Sequence, residues 1–200
     1  MLKETFCSSP WFHLRINPAG YYLPCRWGSK TATSDNHIST TGIQEYLNSS
    51  TMRSLRQDML NGQSVEMCSA CYYEDSNSKV SGRQRQLLKS AVSVVNFDKT
   101  FCASPHYTLF EESNKQDGFT SYYPVDLQID LGNTCNSACI MCSPVYSSKL
   151  AAEYPELIAQ EPLMFNHYPK FKNWADDPEL VDKFVTELAK CHHLISWQLQ

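Results

Sequence analysis

The sequence predicts an α/β fold in two parts, a small cysteine-rich α+β part followed by a strand–helix–strand unit. Val125–Leu131 alternates strictly between apolar and polar residues, which is typical of a half-buried strand. Pro178–Lys190 has helical periodicity, and Ile195–Leu199 has the composition of a further strand. Seven of the nine cysteines fall into two groups, one in the first 71 residues and one directly after the strand at Val125–Leu131.

The elements of the first part follow from turn and helix signals. The turn signal Asn17–Gly20 separates two short apolar runs, which predicts a hairpin. Residues 43–60 carry apolar side chains at helical spacing with a break at Ser49–Thr51, so two short helices are expected. Glycine is common just past a helix end, so Gly62 is expected to close the second helix. In chain order the predictions are a hairpin over 11–23, a loop over 29–41, helices over 43–60 and a helix over 83–95.

The second part is predicted to contain two strands and two helices. Gly132 and Asn133 end the first strand. A helical stretch is expected near 147–158. Asp177 suits the cap of the next helix and Pro178 suits its first turn, because the aspartate accepts from free N–H groups and proline lacks one.

Composition and charge exclude some classes of function. The formal net charge of −4 and a pI near 5.8 argue against a nucleic-acid partner, which usually requires a basic surface. No apolar run approaches the roughly 20 residues that cross a bilayer, and the first residues do not resemble a signal peptide. A cytoplasmic protein without a membrane partner is therefore expected. In that reducing compartment, nine cysteines favour metal ligands or catalytic thiols over disulfides.

The cluster Cys135-x3-Cys139-x2-Cys142 is the most specific motif of the sequence. Thiolates are the usual ligands of iron–sulfur clusters, and three of them leave one iron free to bind another molecule. The loop also follows a strand, where α/β barrels place their active sites. A zinc site would use the same residues but requires a fourth ligand nearby, and buried thiols without a metal are the remaining alternative.

The segment from Asn133 to Cys142 resembles the signature loop of the radical S-adenosylmethionine (SAM) superfamily. The resemblance implies a partial TIM barrel that begins at the predicted strand, with a 4Fe–4S cluster on Cys135, Cys139 and Cys142. It further implies that SAM binds the fourth iron and is cleaved reductively to a 5′-deoxyadenosyl radical. The expected partners are a reductant such as flavodoxin or ferredoxin and a peptide or protein substrate.

Met141 stands at the superfamily's hydrophobic position before the last cysteine. The resemblance implies a contact with the adenine of SAM. From the residue alone, packing of the loop against the core is an equal alternative.

The first cysteine group has the spacing of a four-thiolate site. Two cysteines flank the predicted hairpin and two form a C-x2-C pair, and on spacing alone zinc and iron–sulfur are both credible. The group resembles the auxiliary-cluster modules called SPASM and twitch domains, including the segments Phe6–Trp11, Cys71–Glu74 and Ser81–Arg83. Asn77 stands where a full SPASM module has its next cysteine, which favours the shorter twitch type. The implied ligands of an auxiliary 4Fe–4S cluster are Cys7, Cys25, Cys68 and Cys71.

These interpretations predict a twitch/SPASM-like domain over 1–100, a linker over 101–123 and the start of a radical SAM barrel over 124–200. No Gly-Gly pair, as in the superfamily's turn after the second barrel strand, occurs in the sequence, so the chain is expected to be a fragment that is inactive alone. The alternative function is a non-catalytic zinc- or iron–sulfur-binding module. An electron carrier is disfavoured, because the second group has three cysteines rather than four.

Overall fold

A four-stranded mixed sheet organises the part of the chain that the computed structural model describes, which is 4–28, 34–77, 79–90, 112–113, 115–154, 156–157, 173–194 and 196–199. The strand order is β2-β1-β3-β4. β2 is antiparallel to β1, whereas β1 is parallel to β3 and β3 is parallel to β4. The strands are β1 (His13–Ile16), β2 (Tyr22–Leu23), β3 (Asp126–Ile129) and β4 (Ser196–Leu199).

Seven α-helices accompany this sheet within the described residues. None of them has both the length and the apolar character needed to span a bilayer. Short 3-10 turns lie at Ser34–Asn36, Glu66–Cys68, Pro144–Tyr146 and Trp174–Asp176. The helices are α1 (Ser9–Phe12), α2 (Ile43–Leu47), α3 (Ser50–Leu60), α4 (Ser69–Ser76), α5 (Gly82–Ser90), α6 (Ser148–Glu153) and α7 (Pro178–Leu188).

The predicted hairpin is confirmed, with a later start for its first strand. Trp11 belongs to the helical turn α1, which Pro10 helps to begin because its fixed φ suits the first turn of a helix. In the connecting turn, the side chain of Asn17 accepts a hydrogen bond of 2.9 Å from the Tyr21 amide. Gly20 has φ +86°, and a Cβ there would lie 2.7 Å from His37 Nε2. Glycine is therefore required in this turn.

The two predicted helices over 43–60 are also confirmed. The Ser49 hydroxyl accepts from the Met52 amide at 3.3 Å and so begins α3, while Gly62 with φ +75° follows its end. The Ile43 amide, at the start of α2, donates to Glu187 Oε2 of α7 at 2.9 Å. Of the predicted loop, residues 29–33 lie outside the described residues.

The strands and helix predicted for the second part are present with slightly shorter bounds. The Asp177 carboxylate accepts from the Glu179 amide at 3.1 Å and begins α7, as expected. β3 and β4 pair in parallel, with α7 between them in the chain. The helix predicted near 147–158 is present over Ser148–Glu153, and the helix predicted over 83–95 is described as Gly82–Ser90. Residues 155, 158 and 91–95 of these predictions lie outside the described part. The mixed α/β character is confirmed, and the complete partial barrel stays a prediction.

The sheet joins the two parts of the sequence. β1 of the first part pairs residue by residue with β3 of the second, from His13 opposite Asp126 to Ile16 opposite Ile129. One hydrophobic cluster also contains buried residues from both parts. The strands before and after the predicted linker therefore lie in a single sheet. Members of the shared core include Leu14, Ile16, Ile43, Tyr46, Met59, Leu127, Ile129, Trp174 and Phe184.

Candidate functional site

The four cysteines of the first group line one cavity of about 510 Å³. Cys7 precedes α1, and Cys25 follows β2. Because β1 and β2 are antiparallel, the start of β1 and the end of β2 lie at the same end of the hairpin. Cys68 closes the 3-10 turn before α4, and Cys71 lies in the first turn of α4. The fold therefore brings together the four residues that the sequence singled out.

The four thiols affect one another electrostatically in every pairwise combination. All four are free rather than disulfide-bonded. Burial, together with a smaller effect of the neighbouring thiols, raises the pKa of Cys25 to about 12 and that of Cys68 to about 12. Burial also raises the pKa of Cys7 and Cys71. Such thiols stay protonated at neutral pH unless a cation replaces the proton.

The segment Ser81–Arg83 supports the sulfur of Cys71. The backbone N–H groups of Arg83 and Gly82 lower the pKa of this thiol, against the larger effect of burial. The Arg83 side chain forms an ion pair with Asp75 and donates to the Phe6 carbonyl at 3.1 Å. N–H groups directed at cysteine sulfur are among the contacts that tune iron–sulfur clusters.

The donor set and the cavity fit an iron–sulfur cluster. Four thiols line the same cavity, which suits a cluster whose irons and sulfides spread the ligands apart, whereas a zinc ion draws its sulfurs to about 2.3 Å. Among the described residues, no group of three or more His, Cys, Asp or Glu side chains is close enough to hold a single metal ion.

Polar side chains of the sheet line the same cavity, which the sequence interpretation did not anticipate. His13 Nδ1 lies 2.8 Å from Asp126 Oδ2, and Gln86 Nε2 donates to that oxygen at 3.2 Å. The Ser196 hydroxyl bonds the other oxygen of the carboxylate. Asp126 is only 6% exposed, so the interpretation of Val125–Leu131 as a strand with one solvent-facing side was wrong.

The partners of Asp126 explain this error. His13 precedes Asp126 by 113 residues, and only the pairing of β1 with β3 brings them together. The available signal was the loose alternation in the first strand, which places His13 and Arg15 on one face. To predict that the polar face of β1 meets the polar face of β3, one must know that the two strands are neighbours in the sheet, and no local sequence pattern gives the strand order.

The three cysteines of the second group lie on a loop at the C-terminal end of β3. The Cys142 amide donates to the Cys139 carbonyl at 2.9 Å, so these two residues share one turn. The Ser148 hydroxyl bonds both the amide and the carbonyl of Cys135 at 3.1 Å. Cys139 is exposed, and the other two are half-buried. The strand-end position is as predicted, and the convergence of the three sulfurs on one cluster stays a prediction.

Met141 lies beside these cysteines and is 95% exposed, and its neighbour Ile140 is 99% exposed. The alternative in which Met141 packs the loop against the core is therefore wrong. Its contact with adenine stays a prediction. Two adjacent apolar side chains in water, next to three thiols, mark this loop as a surface that a ligand would cover.

Comparison with known protein families gives one match. Residues 7–72 match the SPASM family model, described as an iron-sulfur cluster-binding domain. The matched segment begins at Cys7 and contains all four cysteines of the cavity. The predicted iron–sulfur character of the first region is thereby confirmed, while the assignment of individual ligands stays a prediction. Neither curated proteins nor solved structures give a match.

Proposed function

We propose that this chain carries the cluster-binding parts of a radical SAM enzyme. The observation that carries the proposal is that a loop at the end of β3 bears Cys135, Cys139 and Cys142. The sheet that contains β3 also contains β1 and β2 of the SPASM-matched region. SPASM domains occur in radical SAM enzymes, so the match supports the resemblance of the loop. The C-terminal ends of parallel strands are also where α/β barrels place catalytic groups.

The loop suits a cluster that must bind a second molecule. Three cysteines would leave one iron without a protein ligand. The exposure of Cys139 and Met141 leaves this side of the loop accessible to SAM. When bound, the cluster and SAM supply an electron and a 5′-deoxyadenosyl radical, and the chain's own residues orient them.

The first cysteine group is proposed to hold an auxiliary 4Fe–4S cluster on Cys7, Cys25, Cys68 and Cys71. The cavity and the N–H groups of Gly82 and Arg83 near Cys71 support this. Four protein thiolates would complete the cluster without an external ligand, in contrast to the loop.

The proposed substrate is a peptide or protein side chain, and the proposed reductant is a flavodoxin or ferredoxin. The support is the family context of the SPASM match, because auxiliary clusters of this type accompany peptide-modifying radical SAM enzymes. The net charge of −4 supports the proposed absence of a nucleic-acid partner.

The direct test is reductive cleavage of SAM by the anaerobically reconstituted full-length protein, since the chain alone is expected to be inactive, measured as 5′-deoxyadenosine formed with dithionite as reductant. Wild type is expected to form it, whereas Cys139→Ala is expected to lose at least about 100-fold in rate, because the cluster loses one of three ligands. Cys191→Ala is the matched control, since Cys191 is buried away from both groups. Equal 5′-deoxyadenosine formation by wild type and Cys139→Ala would exclude the assignment.

A non-catalytic zinc module is the second candidate function, because four thiols are also a common zinc ligand set once they are drawn together around the ion. Metal analysis after purification separates the two. Stoichiometric zinc that iron and sulfide cannot replace would support the zinc module. Replacement of zinc by iron and sulfide under reducing, anaerobic conditions supports the auxiliary cluster.

A further inference from the structure

The base of the three-cysteine loop rests on an arginine from the other region of the chain. Arg15 of β1 donates from Nε to Asp130 Oδ2 at 2.8 Å, and a terminal nitrogen of its guanidinium lies 2.6 Å from the same oxygen. The guanidinium carbon lies 5.0 Å from the centre of the Tyr146 ring. Asp130 is five residues before Cys135, and Tyr146 is four residues after Cys142. Arg15 therefore contacts both ends of the cysteine-bearing segment.

The contacts of Arg15 are shielded from water. Arg15 is 6% exposed and Asp130 is 2% exposed. Gln128 Nε2 donates to the second carboxylate oxygen of Asp130 at 3.3 Å, and Trp174 Nε1 donates to its carbonyl at 2.9 Å. A buried, hydrogen-bonded ion pair has a narrow range of allowed geometry. The carboxylate thus fixes Arg15, and Arg15 fixes the plane on which Tyr146 stacks.

Arginine is suited to this double role, and lysine is not. A guanidinium can bind a carboxylate along its edge while its flat face stacks on an aromatic ring. A lysine ammonium at the same place would keep the charge but lose the stacking plane. The contact with Tyr146 is therefore expected to depend on the shape of the side chain as well as on its charge.

Beyond the contacts with Arg15 and Trp174, the Asn133 amide donates to Asn173 Oδ1 at 3.0 Å, and the bonds within the loop are short-range. Asn133 Nδ2 donates to the Pro144 carbonyl at 3.2 Å, and the Ser147 hydroxyl donates to the Ser137 carbonyl at 2.7 Å. These bonds close the loop on itself. Arg15, separated from Asp130 by 115 residues, instead ties the loop to β1, the strand between Cys7 and Cys25.

We propose that Arg15 is a positioning residue of the three-cysteine loop, by which the auxiliary region sets the placement of the proposed SAM-binding site. The importance of this placement for SAM rests on the proposed function. The positioning of the loop does not depend on any bound group. The two statements can therefore be tested separately.

The first test is amide hydrogen exchange of the metal-free chain. In Arg15→Gln, exchange over residues 131–147 is expected to rise by about tenfold, while exchange in α3 stays within about twofold of wild type. Arg15→Lys keeps the ion pair and is expected to give an intermediate increase. The control is Arg53→Gln, which removes a half-buried arginine on α3 that donates to the Asp117 carbonyl. Unchanged exchange over 131–147, or an equal increase in α3, would overturn the proposal.

A second variant keeps the proposal testable if Arg15→Gln does not fold. Tyr146→Leu removes the stacking ring and leaves the buried ion pair in place. Faster exchange over 131–147 by about threefold is expected, because the C-terminal end of the loop loses its contact with Arg15. Exchange equal to that of wild type would exclude Tyr146 as the connection.

The reconstituted chain provides a spectroscopic readout. Addition of SAM is expected to change the electron paramagnetic resonance spectrum of the reduced loop cluster. Half-saturation should require about tenfold more SAM in Arg15→Gln and less than about threefold more in Arg15→Lys. An equal SAM concentration at half-saturation in wild type, Arg15→Gln and Arg15→Lys would overturn the proposed effect of Arg15 on SAM binding. A wild type without any response to SAM would instead count against the proposed function and leave the exchange result to decide the positioning.

Discussion

The four thiols of the cavity and the three thiols of the loop differ first in how far water reaches them. In the cavity Cys7, Cys68 and Cys71 are buried and Cys25 is half-buried, whereas in the loop Cys139 is exposed and the other two are half-buried. A site whose ligands all come from the protein can be closed, because nothing has to enter after assembly. A site that must accept a further ligand has to stay open. The greater burial of the cavity cysteines agrees with a site of four protein ligands, and the exposure of Cys139 agrees with a site of three.

The largest predicted contrast is in thiol reactivity. In the metal-free chain at pH 7.5, iodoacetamide is expected to modify Cys25 and Cys68 at least about 1000-fold more slowly than a model thiol, because burial raises the pKa of each to about 12 and only the thiolate reacts. Since the thiolate fraction below the pKa grows tenfold per pH unit, their rates should rise tenfold per unit up to about pH 12. Cys139 is exposed and is expected to react first. Mass spectrometry of quenched digests measures all sites in one sample.

Two outcomes of this experiment would contradict the comparison. Modification of Cys68 as fast as that of Cys139 would show that the cavity is open in solution. A rate at Cys25 that stops rising near pH 9 would show that its pKa is ordinary. Cys191, whose pKa burial and Glu187 raise to about 11, serves as an internal reference and is expected to react faster than Cys25 and Cys68 but more slowly than Cys139.

The second prediction concerns the rigid frame around the cavity. Arg56 is completely buried and donates to the carbonyls of Pro10, Leu47 and Gly118 at 2.6–2.9 Å. Burial lowers its pKa to about 10, so it remains charged at neutral pH. Arg56→Met is expected to lower the free energy of unfolding by about 3 kcal/mol, because three buried carbonyls lose their donor. Urea denaturation measures this change, with Arg53→Met as the matched control.

A loss of less than about 0.5 kcal/mol in Arg56→Met would contradict this account of the frame. It would show that the three carbonyls find other donors or water.

The third and smallest prediction concerns the junction of the two regions. Asp126 of β3 accepts from His13 of β1 and from Gln86 of α5. Asp126→Asn is expected to lower the free energy of unfolding by about 1–2 kcal/mol, since the amide replaces one acceptor by a donor in a buried network. Asp182→Asn, on the exposed face of α7, is the control with no expected change. An equal effect of both substitutions would contradict the role of the sheet's polar face.

The two sites also differ in how much of them the sequence could predict. Local signals were sufficient for the hairpin at Asn17–Gly20, the helix break at Ser49 and the cap at Asp177, because each depends on a few neighbouring residues. The close spacing of Cys135, Cys139 and Cys142 and the C-x2-C pair at Cys68 and Cys71 were visible in the sequence, while the assignment of these residues as ligands stays a prediction. The loop's place after β3 followed from the alternation in Val125–Leu131.

The contacts that join the two regions could not be read from local patterns. The pairing of β1 with β3 spans more than 100 residues, and it decides that Asp126 and Asp130 are buried with His13 and Arg15 as partners. A polar residue in an alternating strand is equally suited to water or to a buried partner. Only the strand order separates these cases. The strands on either side of the predicted linker share one sheet, while the predicted domain bounds stay a prediction.

The central claim is that the chain has two cluster sites that differ in their fourth ligand. The most direct measurement is Mössbauer spectroscopy with iron analysis on anaerobically reconstituted wild type, Cys68→Ala and Cys139→Ala, each with and without SAM. We expect about eight irons per chain in wild type and about four in each variant. SAM should alter one iron of the loop cluster in wild type and Cys68→Ala and should leave Cys139→Ala unchanged. About four irons in wild type that are lost only in Cys68→Ala, with no response to SAM, would contradict the account.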